Sequence, residues 1–510
     1  MIRSKLTWLF LLLASISSSA YAQRIGVSGT QFQVNGNQIW LNGANTPWHN
    51  WNDFGTGNYD NSWWESNFQS LANAHINCVR VWISCTGGGI NINSDGTVTG
   101  VTSTFFSDLD QFFALAQKYK VYVLVTTMSF DFFNANESAN YQAWRNCVND
   151  PTKVATLASN YITPLVNRYK SNPYFFAVDV CNEPEVAEQT SDDGQIAWSN
   201  LQYLVGYVAA AVHNAGGGVL ATTGSEGIKW NSTQAGADGN YWSNSALQAQ
   251  YNNSNAYLDF YETHWYSWQV YWFGDPASST TPSTYGINDR PNIIGECPAV
   301  GMETQDSSGN TIAAENPTDT YEGAYQHGWQ GVLAWSSNGV DNNGSLSDFS
   351  SGTTAFYNNH PGLVVPSSGS GVTTHSGSYM VEANPAGNWS NLAQNVNVNA
   401  NSSYTLSFWL QGTGSIHVRV MSSDWSTTLA QGDFTPGSSW NQASLTFNTS
   451  GNTVVVLDFT DSTSGGTLYI DDVSCSTSGG SNVVADPGFE DGSGQSSWFI
   501  QNPPFSIIQP

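Results

Sequence analysis

The chain has 510 residues, 40% of them apolar and 10% charged, so it can hold a large barrel and a smaller module and is neither a small disulfide-stapled fold nor a charge-rich disordered chain. Lys and Arg total 13 against 39 Asp and Glu, a net charge of −26 that excludes nucleic acid as the main partner, because nucleic-acid binding requires a basic surface. The 21 Trp, 23 Tyr and 24 Phe favour a neutral, hydroxyl-rich ligand that stacks on ring faces.

The N-terminus predicts a secretory signal. Arg3 and Lys5 precede an apolar run over residues 6–16, and A-Y-A at 20–22 is a small-x-small cleavage site. A membrane anchor is the alternative, but the run is shorter than the roughly 20 apolar residues that span a bilayer. We therefore expect residues 1–22 to be removed and the protein to be secreted to the extracellular space, with no membrane partner.

Residues 23–362 predict an α/β domain. Short apolar runs alternate with helix-length segments, a pattern typical of parallel strands joined by crossovers, and apolar residues spaced by three and four predict a helix over residues 105–119. Eight runs fit a closed (β/α)8 TIM barrel, whose chemistry lies on the loops after the strands. A doubly wound sheet is the alternative, but the glycines at 87–89 lack the spacing of a phosphate turn. The expected strands are residues 39–41, 78–83, 121–126, 175–180, 219–223, 258–263, 292–295 and 331–335.

The composition then changes to Ser, Thr, Gly, Asn and Val. Residues 363–372 predict a linker, and residues 373–475 predict an all-β jelly-roll sandwich. The tail, residues 476–510, is too short to fold by itself. The alternating runs that indicate sandwich strands are residues 404–409, 416–420, 443–447, 454–459 and 468–470.

Two acids at strand ends are the catalytic candidates. Glu183 in V-D-V-C-N-E-P-E follows strand four, and Glu296 in N-I-I-G-E-C-P ends strand seven. Across a barrel mouth these carboxylates can face each other, and glycoside hydrolysis needs such a pair as acid and nucleophile or base. A single glutamate at a strand end is more often a solvated loop acid.

The order of motifs resembles the clan A glycoside hydrolases, most closely family 5, which holds endo-β-mannanases and cellulases. N-C-V-R-V-W on strand two, N-E-P after strand four, H-W-Y after strand six and the glutamate of strand seven carry the resemblance over residues 24–362. It implies a retaining endo-β-1,4-glycanase with Glu183 as acid/base and Glu296 as nucleophile. It further implies substrate-binding or orienting roles for Arg80, Asn182, His264, Tyr266 and Trp335.

The resemblance also implies a division of charge. Arg80 and Tyr266 are expected to hold Glu296 ionised at a low pKa, whereas Glu183 must begin protonated near neutral pH. Trp48 and Trp51, after strand one, are expected to line the sugar site. Trp265, Trp268 and Trp272, after strand six, are either ligand surface or packing. No cofactor and no metal are expected.

The expected substrate is a plant cell-wall polysaccharide. T-T-G-S-E-G after strand five and R-V-W in strand two are similar to one mannanase branch of the family, which favours β-mannan over cellulose. Endo-β-1,4-glucanase is the alternative activity, and a non-catalytic carbohydrate-binding protein is the alternative of another class. We expect a monomer.

The second domain resembles carbohydrate-binding modules of families 4 and 9 in S-Y-T-L-S-F-W-L and L-Y-I-D-D-V-S. The usual opening of such modules is missing before the domain and recurs after it, as D-P-G-F-E-D-G with a later Trp. The tail is therefore either a truncated second copy or the permuted strands of the sandwich, and we favour permutation. The candidate sugar platforms are Trp389, Trp425 and Trp440, whereas Trp409 is expected in the core.

Six cysteines lack C-x-x-C spacing, which excludes zinc-site and thioredoxin-type interpretations. An exported protein permits a disulfide, and Cys85 with Cys147 is the expected pair because both should lie in loops after barrel strands.

Overall fold

The computed structural model describes residues 24–508 except residues 190–192, 235, 307, 366–373, 378, 386, 462–464, 491–496 and 502–503. The predicted signal peptide, residues 1–22, and most of the predicted linker therefore lie outside the described residues. The chain forms two compact units that divide between residues 368 and 369.

The first unit contains a closed barrel of eight parallel strands, as predicted. The eighth strand pairs with the first, and every residue of the eight strands is buried, as expected for a parallel sheet covered by helices. In chain order, barrel strands one to eight are Leu41–Asn45, Cys78–Trp82, Tyr122–Thr126, Phe175–Asn182, Leu220–Ser225, Tyr261–His264, Asn292–Pro298 and Gly331–Trp335.

Helices surround the barrel, and the one predicted over residues 105–119 has those bounds. The first begins after Asp60, whose side chain accepts hydrogen bonds from the backbone N–H groups of Ser62 and Trp63. The described helices are Asn61–Asn73, Phe105–Tyr119, Tyr141–Val148, Pro151–Leu157, Thr163–Tyr169, Glu185–Gln189, Trp198–Ala215, Asn244–Gln250, Ser267–Phe273, Pro317–Gln326, Leu346–Asn359 and Pro361–Val364. Small hairpins pair Ile90–Ile92 with Val98–Val101, Asn231–Ser232 with Gly239–Asn240, and Glu303–Gln305 with Thr311–Ala314.

Strand one differs from the prediction. The apolar run expected at residues 39–41 spans two elements: Ile39 ends a small antiparallel sheet of Gly26–Ser28, Gln31–Val34 and Asn37–Ile39, whereas Leu41 begins the barrel strand. That segment reads L-N-G-A-N, so its hydrophobic signal is weak. Its asparagine amides donate hydrogen bonds inside the barrel: Asn45 Nδ2 to the carbonyls of Gly295 and Leu333 at 2.9 Å each, and Asn42 Nδ2 to those of His75 and Thr353 at 2.8 and 3.0 Å.

The predicted disulfide is wrong. All six cysteines are buried free thiols. Cys147 lies in the Tyr141–Val148 helix rather than in a loop after a strand, and Cys85 packs in a cluster with Trp82 and Trp335. These thiols therefore pack as small apolar side chains in the core.

The second unit is a sandwich of two five-stranded antiparallel sheets. Side chains alternate along the strands, so that Leu406, Phe408 and Leu410 point into the core. The first sheet runs in the order Asn441–Asn448, Ser403–Gly412, Leu468–Ser476, Met380–Ala383 and Phe505–Ile508. The second runs in the order Thr428–Phe434, Ile416–Ser422, Val454–Thr460, Asn391–Asn397 and Phe499–Ile500.

The C-terminal tail supplies one edge strand to each sheet. Phe505–Ile508 pairs with Met380–Ala383, and Phe499–Ile500 pairs with part of Asn391–Asn397. The tail residues Phe489, Trp498 and Phe505 belong to the core cluster of the sandwich. Within the described part of the chain, no helix combines the length and hydrophobicity of a membrane span.

Candidate active site and carbohydrate-binding surface

Arg80, on strand two, is the centre of the charge network at the barrel mouth. Its guanidinium is fully buried and forms ion pairs with Asp179, Glu262 and Glu296 at 2.8, 2.6 and 2.7 Å. It also lies 4.1 Å from the ring centroid of Trp82. Burial alone would lower the pKa of Arg80, but the surrounding carboxylates outweigh it and raise that pKa, so the guanidinium stays charged.

Glu296 is fixed through both carboxylate oxygens. Arg80 Nη1 donates to Oε1 at 2.7 Å, and Tyr266 Oη donates to Oε2 at 2.7 Å. The expected low pKa is not found, because burial raises the pKa of Glu296 above its ordinary value while Arg80 and Tyr266 oppose that rise. The two donors nevertheless favour the ionised form of this carboxyl group.

Glu183 has a different environment. Burial and then the negative charge of Glu226 raise its pKa to about 8, so the side chain is largely protonated at neutral pH. Its backbone has φ +44° in the left-handed region, which turns the chain sharply after strand four, and its N–H donates to the Gly224 carbonyl at 2.7 Å. One oxygen of Glu183 and one of Glu296 lie within 4.8 Å of each other.

Asn182 and His264 support this pair. Asn182 Oδ1 accepts a hydrogen bond from Arg80 Nη2 at 2.8 Å, which leaves its amide N–H groups available in the cleft. His264 Nδ1 lies 2.7 Å from Oε1 of Glu183 and 3.6 Å from Oε1 of Glu296. Burial lowers the pKa of His264 to about 4, so the ring is neutral near pH 7.

The residues meet in an open cleft of about 570 Å³. One wall consists of four tryptophans: Trp48 and Trp51 lie in the loop after strand one, Trp82 ends strand two and Trp335 ends strand eight. Trp48 lies 4.6 Å from Trp51 and 6.2 Å from Trp335 between ring centroids. All seven expected binding residues are thus brought to the pair or its cleft: Arg80, Asn182, His264, Tyr266, Trp335, Trp48 and Trp51.

Sequence reasoning missed the acidic character of this cleft. The lining includes Asp131, Glu137, Glu226 and Asp341 besides the central pair, and no Lys or Arg among the described residues. Glu226 lies in the T-T-G-S-E-G motif and Trp82 in the R-V-W motif, so the motifs pointed to the right loops without assigning these side chains. Of the ambiguous tryptophans, Trp268 lines the cleft, Trp272 is exposed and Trp265 is buried in the core.

Glu183, His264 and Glu296 also have the composition of a metal site, since one ligand atom of each lies within 4.8 Å of the others. The Arg80 guanidinium, 2.7 Å from Glu296, places a fixed positive charge beside that position. Repulsion from this charge disfavours a cation. The trio therefore fits proton and nucleophile chemistry better than metal binding.

The comparisons with known proteins agree with this geometry. The family model described as cellulase, glycosyl hydrolase family 5, matches residues 33–330. The chain belongs to glycosyl hydrolase family 5. It is therefore a glycoside hydrolase.

Named relatives of this family 5 chain are mannanases. A mannan endo-1,4-beta-mannosidase of Cryptopygus antarcticus is 27% identical over 361 residues, covering 64% of this chain and 88% of the relative. One of Mytilus edulis is 26% identical and covers 67% and 94%. Among solved structures, the endo-1,4-beta-mannanase of Eisenia fetida matches with a TM-score of 0.57 at 25% identity, covering 66% of this chain and 95% of that structure.

In the second unit, Trp389 and Trp425 flank one arginine. Arg419 lies 5.8 Å from each ring centroid and donates to Asp458 Oδ2 at 2.5 Å. The two rings are 53% and 42% exposed, which makes them available to a ligand.

The third candidate platform, Trp440, lies elsewhere. It is half-buried and 5.9 Å from the ring of His375, which stacks at 3.8 Å on Trp409. Trp409, expected in the core, is therefore half-buried on the outer side of its strand. Asp471 accepts backbone hydrogen bonds from His375 and Ser376 and so anchors this loop.

Proposed function

We propose that the protein is a secreted, retaining mannan endo-1,4-β-mannosidase that hydrolyses plant cell-wall β-mannan. The observation that carries the proposal is the opposition of Glu183 and Glu296 within 4.8 Å in a tryptophan-lined cleft. Retaining glycosidases hold their carboxyl groups about 5–5.5 Å apart, and inverting enzymes about 6.5–9.5 Å. The mannanase names of the relatives and of the similar structure support mannan as the substrate.

In the first step, Glu296 attacks the anomeric carbon and forms the glycosyl-enzyme bond while Glu183 gives its proton to the leaving oxygen. Arg80 and Tyr266 favour the ionised form of the Glu296 carboxylate, one oxygen of which attacks, and hold it in position. A raised pKa of about 8 keeps the proton on Glu183 until it is needed.

In the second step, Glu183 takes a proton from water, whose oxygen displaces Glu296 from the anomeric carbon. A neutral His264 that donates through Nδ1 to Oε1 of Glu183 leaves the other carboxyl oxygen free to hold the transferred proton. The amide N–H of Asn182, fixed by Arg80, is placed to donate to the sugar hydroxyl next to the reacting carbon.

The acidic lining supports a neutral substrate. Six carboxyl side chains line the cleft, namely Asp131, Glu137, Glu183, Glu226, Glu296 and Asp341. An anionic polysaccharide such as a uronate polymer is therefore repelled. Cellulose is the other neutral candidate, because the matching family model bears the name cellulase.

The deciding experiment measures reducing ends and product anomers from linear β-mannan, glucomannan, carboxymethylcellulose and xylan. We expect mannan to be cleaved fastest, with the first-formed product in the β configuration. Faster release from carboxymethylcellulose would assign the cellulase activity, and an α product would overturn the retaining mechanism. No cleavage of any polymer would favour a non-catalytic binding protein.

We further propose that the second unit is a carbohydrate-binding module whose platform is Trp389 and Trp425. Their rings flank Arg419, whose N–H groups can donate to sugar hydroxyls. Affinity electrophoresis of the full chain in mannan gels should show retardation that the Trp389→Ala/Trp425→Ala variant loses. If that variant is still retarded and Trp440→Ala is not, the platform lies on the other sheet.

Export is part of the proposal and is supported by the sequence of residues 1–22. N-terminal sequencing of protein recovered from culture medium is expected to begin near residue 23. Recovery of the full-length chain inside cells would contradict it.

A further inference from the structure

The short helix Ser267–Phe273, which follows strand six, has two different faces. Gln269 and Val270 are buried, whereas Trp268, Tyr271 and Trp272 are 45%, 42% and 66% exposed. Residues separated by three and four positions lie on the same side of a helix, so the three aromatic rings share one outer face.

This face begins at the cleft and leads away from it. Trp268 and Gln269 line the cleft, while Tyr271 and Trp272 lie beyond its lining. At about 1.5 Å per residue, Trp272 is about 6 Å farther along the helix axis than Trp268. The rings of Tyr271 and Trp272 lie 4.8 Å apart at an angle of 88°, so the row is continuous at its outer end.

The helix also lies on the side of the barrel mouth opposite the tryptophan wall. Strands four and seven carry Glu183 and Glu296, strands eight, one and two carry the wall, and the helix follows strand six. A sugar chain that crosses the central pair from the wall therefore leaves the cleft towards this helix.

The chemistry of the face indicates the occupant. The helix reads S-W-Q-V-Y-W-F and has no charged residue. Contiguous exposed aromatic surface marks a binding site, and ring faces with a phenol hydroxyl and indole N–H suit a neutral chain with apolar faces and hydroxyl edges. The continuity with the cleft selects the same polysaccharide that the cleft cleaves.

We propose that Trp268, Tyr271 and Trp272 form a row of outer subsites that binds sugar units of the substrate beyond the central cleft. The proposal rests on the proposed function, because it assigns the occupant as the β-1,4-linked polysaccharide substrate. It makes the enzyme prefer long chains over short ones.

The test is the Tyr271→Ala/Trp272→Ala variant of the full chain, which leaves the cleft-lining Trp268 in place. For linear mannan and mannohexaose we expect kcat/KM to fall about tenfold through KM, because the variant removes ring surface that binds the substrate and the transition state equally. For mannotetraose, which is too short to fill both the central and the outer subsites, the change should be less than about twofold. Trp272→Phe in an otherwise wild-type chain keeps a ring at this position and should lose little of the wild-type kcat/KM on either substrate.

Val27→Ala, which trims an exposed side chain in the N-terminal sheet, is the control and should behave as wild type. Equal losses on the tetramer and the hexamer, or no loss on either, would overturn the row. If the wild type cleaves cello-oligosaccharides instead of manno-oligosaccharides, the mannan assignment fails, and the outer subsites are then tested with cellotetraose and cellohexaose. The two failures are therefore distinguishable. An unchanged melting temperature of the double variant separates binding loss from unfolding.

Discussion

The Nδ1 atom of His264 lies 2.7 Å from Oε1 of Glu183, and Nε2 of the same ring has no hydrogen-bond partner among the described residues. A histidine held in this way orients the acid/base side chain and does not act as an acid itself, because burial lowers its pKa to about 4. In the proposed mechanism, the acid/base Glu183 therefore depends on a neighbour that takes no part in proton transfer.

His264→Ala is accordingly expected to lower kcat on natural glycans by about 10²-fold, within the range that general acid–base catalysis supplies. Aryl glycosides with acidic leaving groups need less proton donation, so their first step should be affected far less. His327→Ala, which removes a half-buried histidine from the end of the Pro317–Gln326 helix, should leave both rates unchanged. An equal loss on both substrate types would indicate a merely structural role for His264.

The two carboxylates should respond differently to removal. Glu296→Ala abolishes formation of the glycosyl-enzyme, whereas Glu183→Ala lowers turnover of natural glycans by about 10²–10⁴-fold and still allows an activated aryl glycoside to form the intermediate. Added azide should rescue Glu183→Ala with a β-glycosyl azide product and Glu296→Ala with an α product. The opposite anomers, read by NMR, would exchange the two roles.

Glu226 offers a test of the electrostatics. Its carboxylate receives a hydrogen bond from Gln189 Nε2 at 2.5 Å and its charge helps to raise the pKa of Glu183, after the larger effect of burial. The other charged or titratable groups around Glu183 are Arg80, Asp131, Asp179, His264, Tyr266 and Glu296.

Removing the charge by Glu226→Gln lowers the pKa of Glu183, so the alkaline limb of the kcat/KM profile moves to lower pH. Glu65→Gln, at an exposed position paired with Lys118, is the matched control and should leave the profile in place. A limb that stays fixed in Glu226→Gln would sink the assignment of that charge.

His213 gives a pH dependence of stability. It is bonded to Asp259 at 2.9 Å, and although burial acts in the opposite direction, this partner raises the pKa of the histidine. A raised folded-state pKa gives stability that is fully present below the unfolded value near 6.5 and is lost as pH rises through the higher folded value. As the pH rises from about 6.5 through the raised pKa of His213, the melting temperature of the wild type should fall by about 2 °C, and that of Asp259→Asn should not.

The tail is expected to be part of the sandwich and not an appendage. Phe505 is fully buried on the edge strand that pairs with Met380–Ala383. Phe505→Ala should cost about 3–5 kcal/mol of the stability of the second unit, and deletion of residues 482–510 should lower its melting transition further. Calorimetry of the full chain should show an unchanged melting temperature for the barrel. If the melting temperature of the sandwich is also unchanged in both variants, the tail is instead a truncated second copy.

Much of the fold followed from periodicity, because fully buried parallel strands such as Tyr122–Thr126 and amphipathic helices such as Phe105–Tyr119 leave strong apolar signals. Strand one did not, since it contains buried asparagines, and the carbonyl groups that Asn45 bonds belong to strands seven and eight, 250 and 288 positions away. Such long-range satisfaction is invisible to a local pattern. The strand Thr428–Phe434 was missed for a different reason: its residues are all exposed or half-buried, so its sequence has no clear alternation of apolar residues.

At the site, the motifs located Glu183, Glu296 and their partners, but the pKa of Glu296 depends on how completely the barrel buries it. The positions of Asp131 and Asp341 in one cleft likewise depend on loop geometry that no spacing in the sequence encodes. The sequence showed several tryptophans after strand six but did not show which of them face solvent. The structure separates them, because Trp265 is buried and Trp272 is exposed.

The six buried free thiols can report local opening of the folded protein, because each reacts only when its surroundings open. Five of them lie in the barrel unit and one, Cys475, in the sandwich. Burial raises the pKa of Cys147 and of Cys475 to about 12, so neither reacts with an alkylating reagent while its surroundings stay closed. The time course of alkylation under native conditions, resolved by peptide mass, therefore measures how often each unit exposes its interior, without any label being introduced.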